Sequence, residues 1–199
     1  MEHKFFDRQL DNDLVDLASY LQIQYDKISS GDIISGELNL TDFADSGSIT
    51  TMNWTKYNVF QFYHPGVYSL LKNVKDMVEE ACWHYGIDYE EQQFMVQGWF
   101  NINHAKTGKL DWHDHGAPAA PYFHGYYCVN AEPTVTHYRV FGKEVINENK
   151  NNRAILSEMG HEHAMGDWDW DGPRITIAYD VIPLKLMSHS EPQHWVPLL

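Results

Sequence analysis

The sequence predicts an α+β protein, mainly β, in which two N-terminal helices precede a β-sandwich or jelly roll. Three observations lead to this prediction. The first ninety residues contain two stretches whose apolar residues recur at helical spacing. After Gly86 the helical period disappears, and short segments rich in aromatic and β-branched residues follow. Clusters of Gly, Pro and Asn separate these segments, as is typical of the turns in sandwiches and jelly rolls.

Two amphipathic helices are predicted in the N-terminal half. The first covers residues 8–28, and its inward side chains are Leu10, Leu14, Leu17, Leu21 and Tyr25. The second covers residues 66–85, with Pro65 at its start and Gly86 at its end, the punctuation that helices prefer. Between them, residues 32–62 mix short apolar runs with polar residues and predict loops with one or two short strands.

Strands are predicted after the second helix at residues 93–102, 110–115, 122–129, 134–141, 153–157 and 174–182. No internal repeat or Pro/Ser-rich linker interrupts the chain, so we expect a single domain over residues 1–199. Within it, residues 1–90 are expected to form a helical support and residues 91–185 a jelly-roll core that carries the chemistry. Residues 186–199 are expected to form a C-terminal tail.

The chain combines a strong negative charge with many histidines. It has 14 Lys and Arg, 28 Asp and Glu, and 12 His among 199 residues, for a net charge of −14. This charge has the wrong sign for binding nucleic acid or an anionic membrane surface. No apolar run approaches the roughly 18 residues of a membrane span, and no signal peptide is visible, so we expect a cytoplasmic protein without a membrane partner. The acidity favours a neutral or cationic substrate, such as a peptide or an amino-acid-like small molecule.

The most informative segment contains two histidines separated by one residue, His113-Asp114-His115. Because side chains alternate between the two faces of a strand, His113 and His115 share a face, and Asp111 shares it too. Two adjacent imidazoles at a strand end are suitable ligands for a first-row transition metal. Asp111 remains an alternative to His115 as the second ligand.

A third ligand is expected from Gly160-His161-Glu162-His163, which follows the strand predicted at 153–157. His161 and His163 point the same way in an extended segment, so both are candidates. On the last predicted strand, Arg174 and Thr176 share a face. An inward Arg beside a hydroxyl can hold a carboxylate through two hydrogen bonds. A metal next to such an anion clamp predicts a bound carboxylate that also reaches the metal.

This ordered set resembles the iron(II)/2-oxoglutarate-dependent oxygenases, and most closely a small bacterial and phage subgroup similar to prolyl hydroxylases. The elements that match the family pattern cover roughly residues 93–183. In order they are Trp99-Phe100-Asn101, Gly108, His113-Asp114-His115, Gly125-Tyr126-Tyr127, His163 and Arg174-Ile175-Thr176.

The resemblance implies a double-stranded β-helix that binds Fe(II) at its mouth through His113, His115 and His163, with Asp111 and His161 as alternatives. It also implies that 2-oxoglutarate chelates the metal and that Arg174 holds its far carboxylate. The residues expected to assist in co-substrate binding are Thr176, Asn101, Tyr126 and Tyr127. The implied reaction uses O2 to convert 2-oxoglutarate to succinate and CO2 while an unactivated C–H bond of the substrate is hydroxylated.

Other interpretations fit part of the pattern. A cupin-like metal dioxygenase with three His ligands would not need 2-oxoglutarate, and a non-catalytic jelly-roll module could use the aromatic residues to bind a sugar. Arg174 could instead form an ion pair with one of the acidic residues near it in sequence, which are Asp167, Asp169, Asp171 and Asp180. The N-terminal helices could support the sheet or mediate a homodimer.

Overall fold

The structure is a computed structural model that describes residues 3–29, 48–51, 57–103, 112–115, 122–169, 171–187 and 194–198. Several sequence-based expectations lie wholly or partly outside these residues: the alternative ligand Asp111, Gly108, the first two residues of the strand predicted at 110–115, and parts of the loop region at 32–62 and of the tail at 186–199.

Two α-helices are described, α1 (Leu14–Ser29) and α2 (Pro65–Tyr85). The helix predicted at 8–28 begins later than expected, because the Asp13 carboxylate accepts hydrogen bonds from the first free backbone N–H groups, including that of Asp16 at 3.1 Å. The second helix is confirmed with its punctuation. Pro65 is its first residue, and Gly86 ends it in the left-handed region at φ 67°.

The described strands are β1 (Phe6–Gln9), β2 (Ser48–Thr50), β3 (Phe94–Asn103), β4 (Phe123–Asn130), β5 (Val135–Val140), β6 (Lys143–Glu148), β7 (Arg153–Glu158), β8 (Glu162–Met165), β9 (Arg174–Pro183) and β10 (Val196–Pro197). Strands β3, β4, β5, β7 and β9 confirm the strands predicted there to within about two residues. The sequence does not predict β1, β6, β8 or β10. Of the strand predicted at 110–115, the described residues 112–115 form an isolated bridge at His113 and no strand.

The strands form two antiparallel sheets. The larger has the order β1-β7-β4-β9-β3-β10, with β2 also paired to β3, and the smaller has the order β6-β5-β8. In the smaller sheet, His163 on β8 is paired with Tyr138 on β5 and also with His113 through an isolated antiparallel bridge. The segment around His113 therefore lies along the edge of β8 that β5 leaves open.

Because side chains alternate along the strands of the large sheet, its two faces carry two separate apolar clusters. The side chains of Ile177 and Tyr179 on β9 join the core formed with the helices, as does Leu17 of α1. The other face carries a smaller cluster that includes Ala178 of β9 and Tyr138 of β5. We call the space between the two sheets, lined by this second face, the interior.

The architecture confirms an α+β protein that is mainly β. The N-terminal ninety residues are more than a helical support, because β1 and β2 extend the large sheet at β7 and β3. A closed jelly roll and the domain limits remain predictions. Among the described residues, neither helix is long and apolar enough to cross a membrane.

Candidate metal centre

Three histidines that the sequence singled out meet at one end of the interior. One ring nitrogen each of His113, His115 and His163 lies within 4.8 Å of the other two. The backbone holds two of the three in place, because His113 N–H donates to the His163 carbonyl at 3.1 Å and His163 N–H donates back at 2.8 Å. His115 reaches the same point from the face that it shares with His113. We call these residues the three-histidine cluster.

The ring spacing of the three-histidine cluster fits a shared metal ion. An imidazole bound at 2.0–2.1 Å places its ring centre about 3.2 Å from the ion, so three such rings lie about 4.5–5.2 Å apart. The ring centres are 4.4 Å apart for His113 and His163, 5.2 Å for His115 and His163, and 5.5 Å for His113 and His115. Small movements of the rings would complete coordination by a first-row divalent metal.

The ring of His163 is held neutral and oriented. Burial, followed by the neighbouring histidines, lowers the pKa of His163 to about 2. Its Nδ1–H donates to the carbonyl of His161 at 3.3 Å, which leaves Nε2 as the free nitrogen. A neutral imidazole whose second nitrogen donates to a backbone carbonyl is the form in which histidine binds metals.

Asp180 on β9 lies behind the three-histidine cluster and joins two histidines. One carboxylate oxygen accepts a hydrogen bond from His115 Nδ1 at 3.1 Å, and the other accepts one from His124 Nδ1 at 2.7 Å. Burial alone would raise the pKa of Asp180, but the two hydrogen bonds outweigh it and lower the pKa to about 2. Burial, followed by the charge on His115, lowers the pKa of His124 to about 4. At neutral pH an ionised Asp180 therefore accepts from a neutral His124.

This arrangement changes the charge balance of the centre. Three neutral imidazoles lack the negative charge that a carboxylate ligand brings, and Asp180 supplies that charge one hydrogen bond away, through His115. His124 packs between the rings, with ring-centre distances of 4.0 Å to His115 and 4.7 Å to His163. Together, His115, His124 and Asp180 form an overlapping set of possible metal ligands.

Sequence reasoning did not assign His124 or Asp180 to the centre. Each is isolated in the sequence, and they meet because β4 and β9 pair with His124 directly opposite Asp180. The only signal available was strand alternation, which places His124 with Tyr126, and Asp180 with Arg174, on the interior face.

Arg174, the first residue of β9, is a buried cation on the same face. It is 5 % exposed, and its Nε donates to Thr134 Oγ1 at 3.3 Å. Within the described residues no carboxylate forms an ion pair with Arg174, and Asp180 binds histidines instead. Burial lowers the pKa of the Arg174 guanidinium, as expected for a charge held away from water. A buried cation without a counter-charge is costly, so its surroundings favour an anionic ligand.

The residues expected to assist Arg174 separate into two groups. Thr176 shares the interior face, and Asn101 Nδ2 donates to its hydroxyl at 3.5 Å. Tyr126 also lies inside, donates to Asn149 at 2.9 Å, and interacts electrostatically with Arg174. Tyr127 points to the other face of the sheet, where its hydroxyl donates to Asn152 at 2.5 Å. The structure therefore brings all of these residues except Tyr127 to the interior.

The alternative third ligand, His161, has different neighbours. Its ring lies with His3 and Glu158 in a separate group of potential ligands. The backbone carbonyl of His161 meets the three-histidine cluster through the hydrogen bond from His163.

No protein-family model matches this chain, and no curated protein shows a significant match. Solved structures do match along most of its length. The carbocyclase SnoK of nogalamycin biosynthesis, a non-heme α-ketoglutarate-dependent enzyme, is 11 % identical with a TM-score of 0.58, over 92 % of this chain and 80 % of that one. The non-heme monooxygenase ThoJ, in a nickel complex, is 12 % identical with a TM-score of 0.59, over 99 % and 77 %.

A prolyl-4-hydroxylase from Pseudomonas putida also matches, at 10 % identity and a TM-score of 0.57, over 90 % of this chain and 93 % of that one. At such low identity these likenesses bear on the fold and not on the activity. The chain shares its fold with these three proteins.

Proposed function

We propose that this chain is an Fe(II)- and 2-oxoglutarate-dependent dioxygenase that hydroxylates an unactivated C–H bond of a small molecule or a peptide. The observation that carries the proposal is the pairing of the three-histidine cluster with Arg174, a buried cation without a described carboxylate partner on the same interior face. The fold shared with non-heme enzymes, one of them α-ketoglutarate-dependent by its description, supports it.

In this proposal one ring nitrogen each of His113, His115 and His163 holds the metal. Bound iron(II) would supply the redox chemistry by which one O2 converts 2-oxoglutarate to succinate and CO2 and hydroxylates the substrate. One oxygen atom enters succinate and the other enters the product. The protein residues bind and orient the reactants and limit the access of water.

The anion clamp recognises the end of 2-oxoglutarate that does not react. The Arg174 guanidinium donates two hydrogen bonds to that carboxylate, and the Thr176 hydroxyl contributes a third. A chain of net charge −14 repels this dianion at long range, so its binding depends on local positive charge. Arg174 and the metal supply that charge at opposite ends of the co-substrate.

Two residues around the metal keep the centre ordered and dry. Asp180 accepts the Nδ1–H of His115 and so fixes which nitrogen faces the metal. Trp99 is 4 % exposed and stacks on the ring of His115 at 5.4 Å with an angle of 17° between the planes. This indole covers one side of the ligand with apolar surface and displaces water from it.

The proposal is tested by measuring succinate formation from 2-oxoglutarate with Fe(II), ascorbate and air, first without substrate and then with candidate peptides and amino acids. Arg174→Ala should weaken 2-oxoglutarate binding about 100-fold, because a charge-assisted bidentate contact is lost, and should change metal affinity less than about threefold. Arg8→Ala, which removes a surface cation paired with Glu80, serves as the matched control and should change neither.

Two results would contradict the proposal. Folded protein that binds Fe(II) but neither binds nor consumes 2-oxoglutarate would exclude the co-substrate. Equal losses of metal and co-substrate affinity in Arg174→Ala would remove Arg174 from the clamp.

One observation favours a second candidate function. The proposed metal ligands are three histidines, without a carboxylate among them, as in a cupin-like metal dioxygenase that does not use 2-oxoglutarate. Oxygen consumption with a candidate substrate that is independent of added 2-oxoglutarate would favour this alternative.

A further inference from the structure

A second group of potential metal ligands lies outside the three-histidine cluster. His3 precedes β1, Glu158 ends β7 and His161 precedes β8. One donor atom from each lies within 4.8 Å of the other two. His3 Nδ1 is 3.3 Å, and His161 Nε2 is 3.8 Å, from the same oxygen of Glu158.

We propose that His3, Glu158 and His161 form a second metal site, which binds a divalent transition-metal ion of the zinc class. Two imidazole nitrogens and one carboxylate oxygen are donors that Zn²⁺, Co²⁺ and Ni²⁺ all accept. The site is independent of the proposed oxygenase chemistry, because none of its three side chains belongs to the three-histidine cluster.

The spacing of the donor atoms suits such an ion. Ligand atoms bound at 2.0–2.1 Å in tetrahedral positions are about 3.3 Å from one another. The distance from His3 to Glu158 already has this value, and the distance from His161 exceeds it by about half an ångström. The rings of His3 and His161 are 4.4 Å apart, the same separation as His113 and His163 in the three-histidine cluster.

The surroundings of the second site also favour an ion over a simple hydrogen bond. The side chains of His3, Glu158 and His161 are 5 %, 18 % and 15 % exposed, so a carboxylate and two imidazoles converge where water is scarce. The 3.3 Å contact from His3 is long for a charge-assisted hydrogen bond, which is usually about 2.7–2.9 Å. Remaining coordination positions can be filled by water from the exposed side.

Neighbouring groups orient the ligands. The ring of Phe5 packs edge-on against His3 at 4.7 Å, and Phe141 packs edge-on against His161 at 5.6 Å. The hydroxyl of Tyr85 lies beside Glu158. Metal sites commonly have such outer contacts, because ligands that are already oriented lose less entropy when the ion binds.

An ion at the second site would join parts of the chain that are far apart in sequence. His3 and Glu158 are separated by 155 residues, so the ion would hold the segment before β1 against β7 and the start of β8. It would also fix the backbone of His161, whose carbonyl accepts the hydrogen bond from His163. Occupation of the second site would therefore stabilise a ligand of the three-histidine cluster.

The test is a metal titration of the untagged full chain, first stripped with a chelator, with Co²⁺ or Zn²⁺ alone. We expect two equivalents to bind with dissociation constants at or below the micromolar range. The double variant His3→Gln/His161→Gln should lose one equivalent, or bind it at least about 100-fold more weakly. His137→Gln is the matched control, since His137 also contacts a carboxylate, Glu144, but belongs to neither set of metal ligands.

A second variant and a second readout keep the test decisive. Glu158→Gln has nearly the same shape as the native residue and should weaken the same equivalent, and circular dichroism reports whether each variant is folded. If wild type and Glu158→Gln bind the same number of ions with the same affinities, the second site does not exist. The same conclusion follows if wild type binds one ion only and His113→Ala abolishes it. Because no step depends on turnover, these outcomes are distinguishable from failure of the proposed oxygenase activity.

Discussion

At the scale of single residues, the position of Asp180 controls the electrostatics of the candidate centre. A carboxylate in direct contact with a metal neutralises charge but occupies a coordination position. A carboxylate behind His115 neutralises part of the same charge through the hydrogen bond and also fixes the orientation of the ring. The second hydrogen bond, from His124, keeps Asp180 ionised in its buried position.

We therefore expect Asp180→Asn to raise the dissociation constant of the metal at the three-histidine cluster by about 10–100-fold. The amide keeps the shape of the carboxylate but loses its charge and places an N–H₂ group against one of the two histidines. Competition with a chromophoric chelator, in the His3→Gln/His161→Gln background, measures this site alone. Asp171→Asn, an exposed acid before β9, is the control. An unchanged constant in Asp180→Asn would show that Asp180 has no effect on the metal.

The same residues show how far the candidate site could be predicted from the sequence. His113 and His115 are two residues apart, so local alternation was enough to place them on one face. His124 and Asp180 are 56 residues apart and meet only through the register of β4 against β9. That register depends on packing across the whole sheet, which no local pattern encodes.

At the scale of elements, the centre depends on the close packing of β4 between β7 and β9. Gly125 in β4 lies opposite Tyr179 of β9, whose ring crosses β4 so that its hydroxyl donates to the Ile155 carbonyl on β7 at 2.8 Å. A Cβ at position 125 would lie 2.2 Å from that carbonyl oxygen and 2.4 Å from the Tyr179 ring. The absence of a side chain at Gly125 is thus what allows this crossing.

Gly125→Ala should lower the free energy of unfolding by about 2–3 kcal/mol, because the clash involves backbone and a fully buried ring that cannot move aside. Gly142→Ala is the matched control. It lies in the turn between β5 and β6 at φ 75° with nothing within 4 Å of an added Cβ, so only backbone strain of about 1 kcal/mol is expected. Urea denaturation measures both, and equal losses would contradict a steric role for Gly125.

The elements that were missed have physical reasons. Residues 8–13 continue the helical spacing of α1, but residues 8 and 9 pair with β7 as part of β1, and the cap at Asp13 makes the helix begin after them. Strand β6 is largely exposed, so it lacks the apolar alternation that identifies a half-buried strand. Strand β8 has only four residues, too few for a reliable period.

At the scale of the whole molecule, the net charge of the chain and its buried histidines affect different properties of the protein. The net charge of −14 acts at long range on ligands and partners, while the interior holds neutral histidines around one buried carboxylate. The cytoplasmic location remains a prediction and the homodimer one of two options for the helices, because both depend on surfaces and surroundings that the fold of one chain does not determine.

The buried histidines predict how the stability of the metal-free protein depends on pH. Burial lowers the pKa of His163 to about 2 and that of His124 to about 4, whereas in the unfolded chain both lie near 6.5. Below pH 6.5 the unfolded chain therefore takes up protons that the folded protein does not, so stability falls as pH falls. Asp180, whose pKa is also lowered, acts in the same direction, but its contribution is present above about pH 4 and is lost only below that.

Between pH 7 and pH 5 the two histidines should together lower the free energy of unfolding by about 3–4 kcal/mol. Urea denaturation in the presence of a chelator at the two pH values measures this loss. His124→Asn, whose amide can still donate to Asp180, should remove about half of the loss assigned to these two histidines, because it removes one of them. A wild-type protein equally stable at both pH values would contradict the burial of neutral histidines, and an unchanged loss in His124→Asn would assign the effect to other groups.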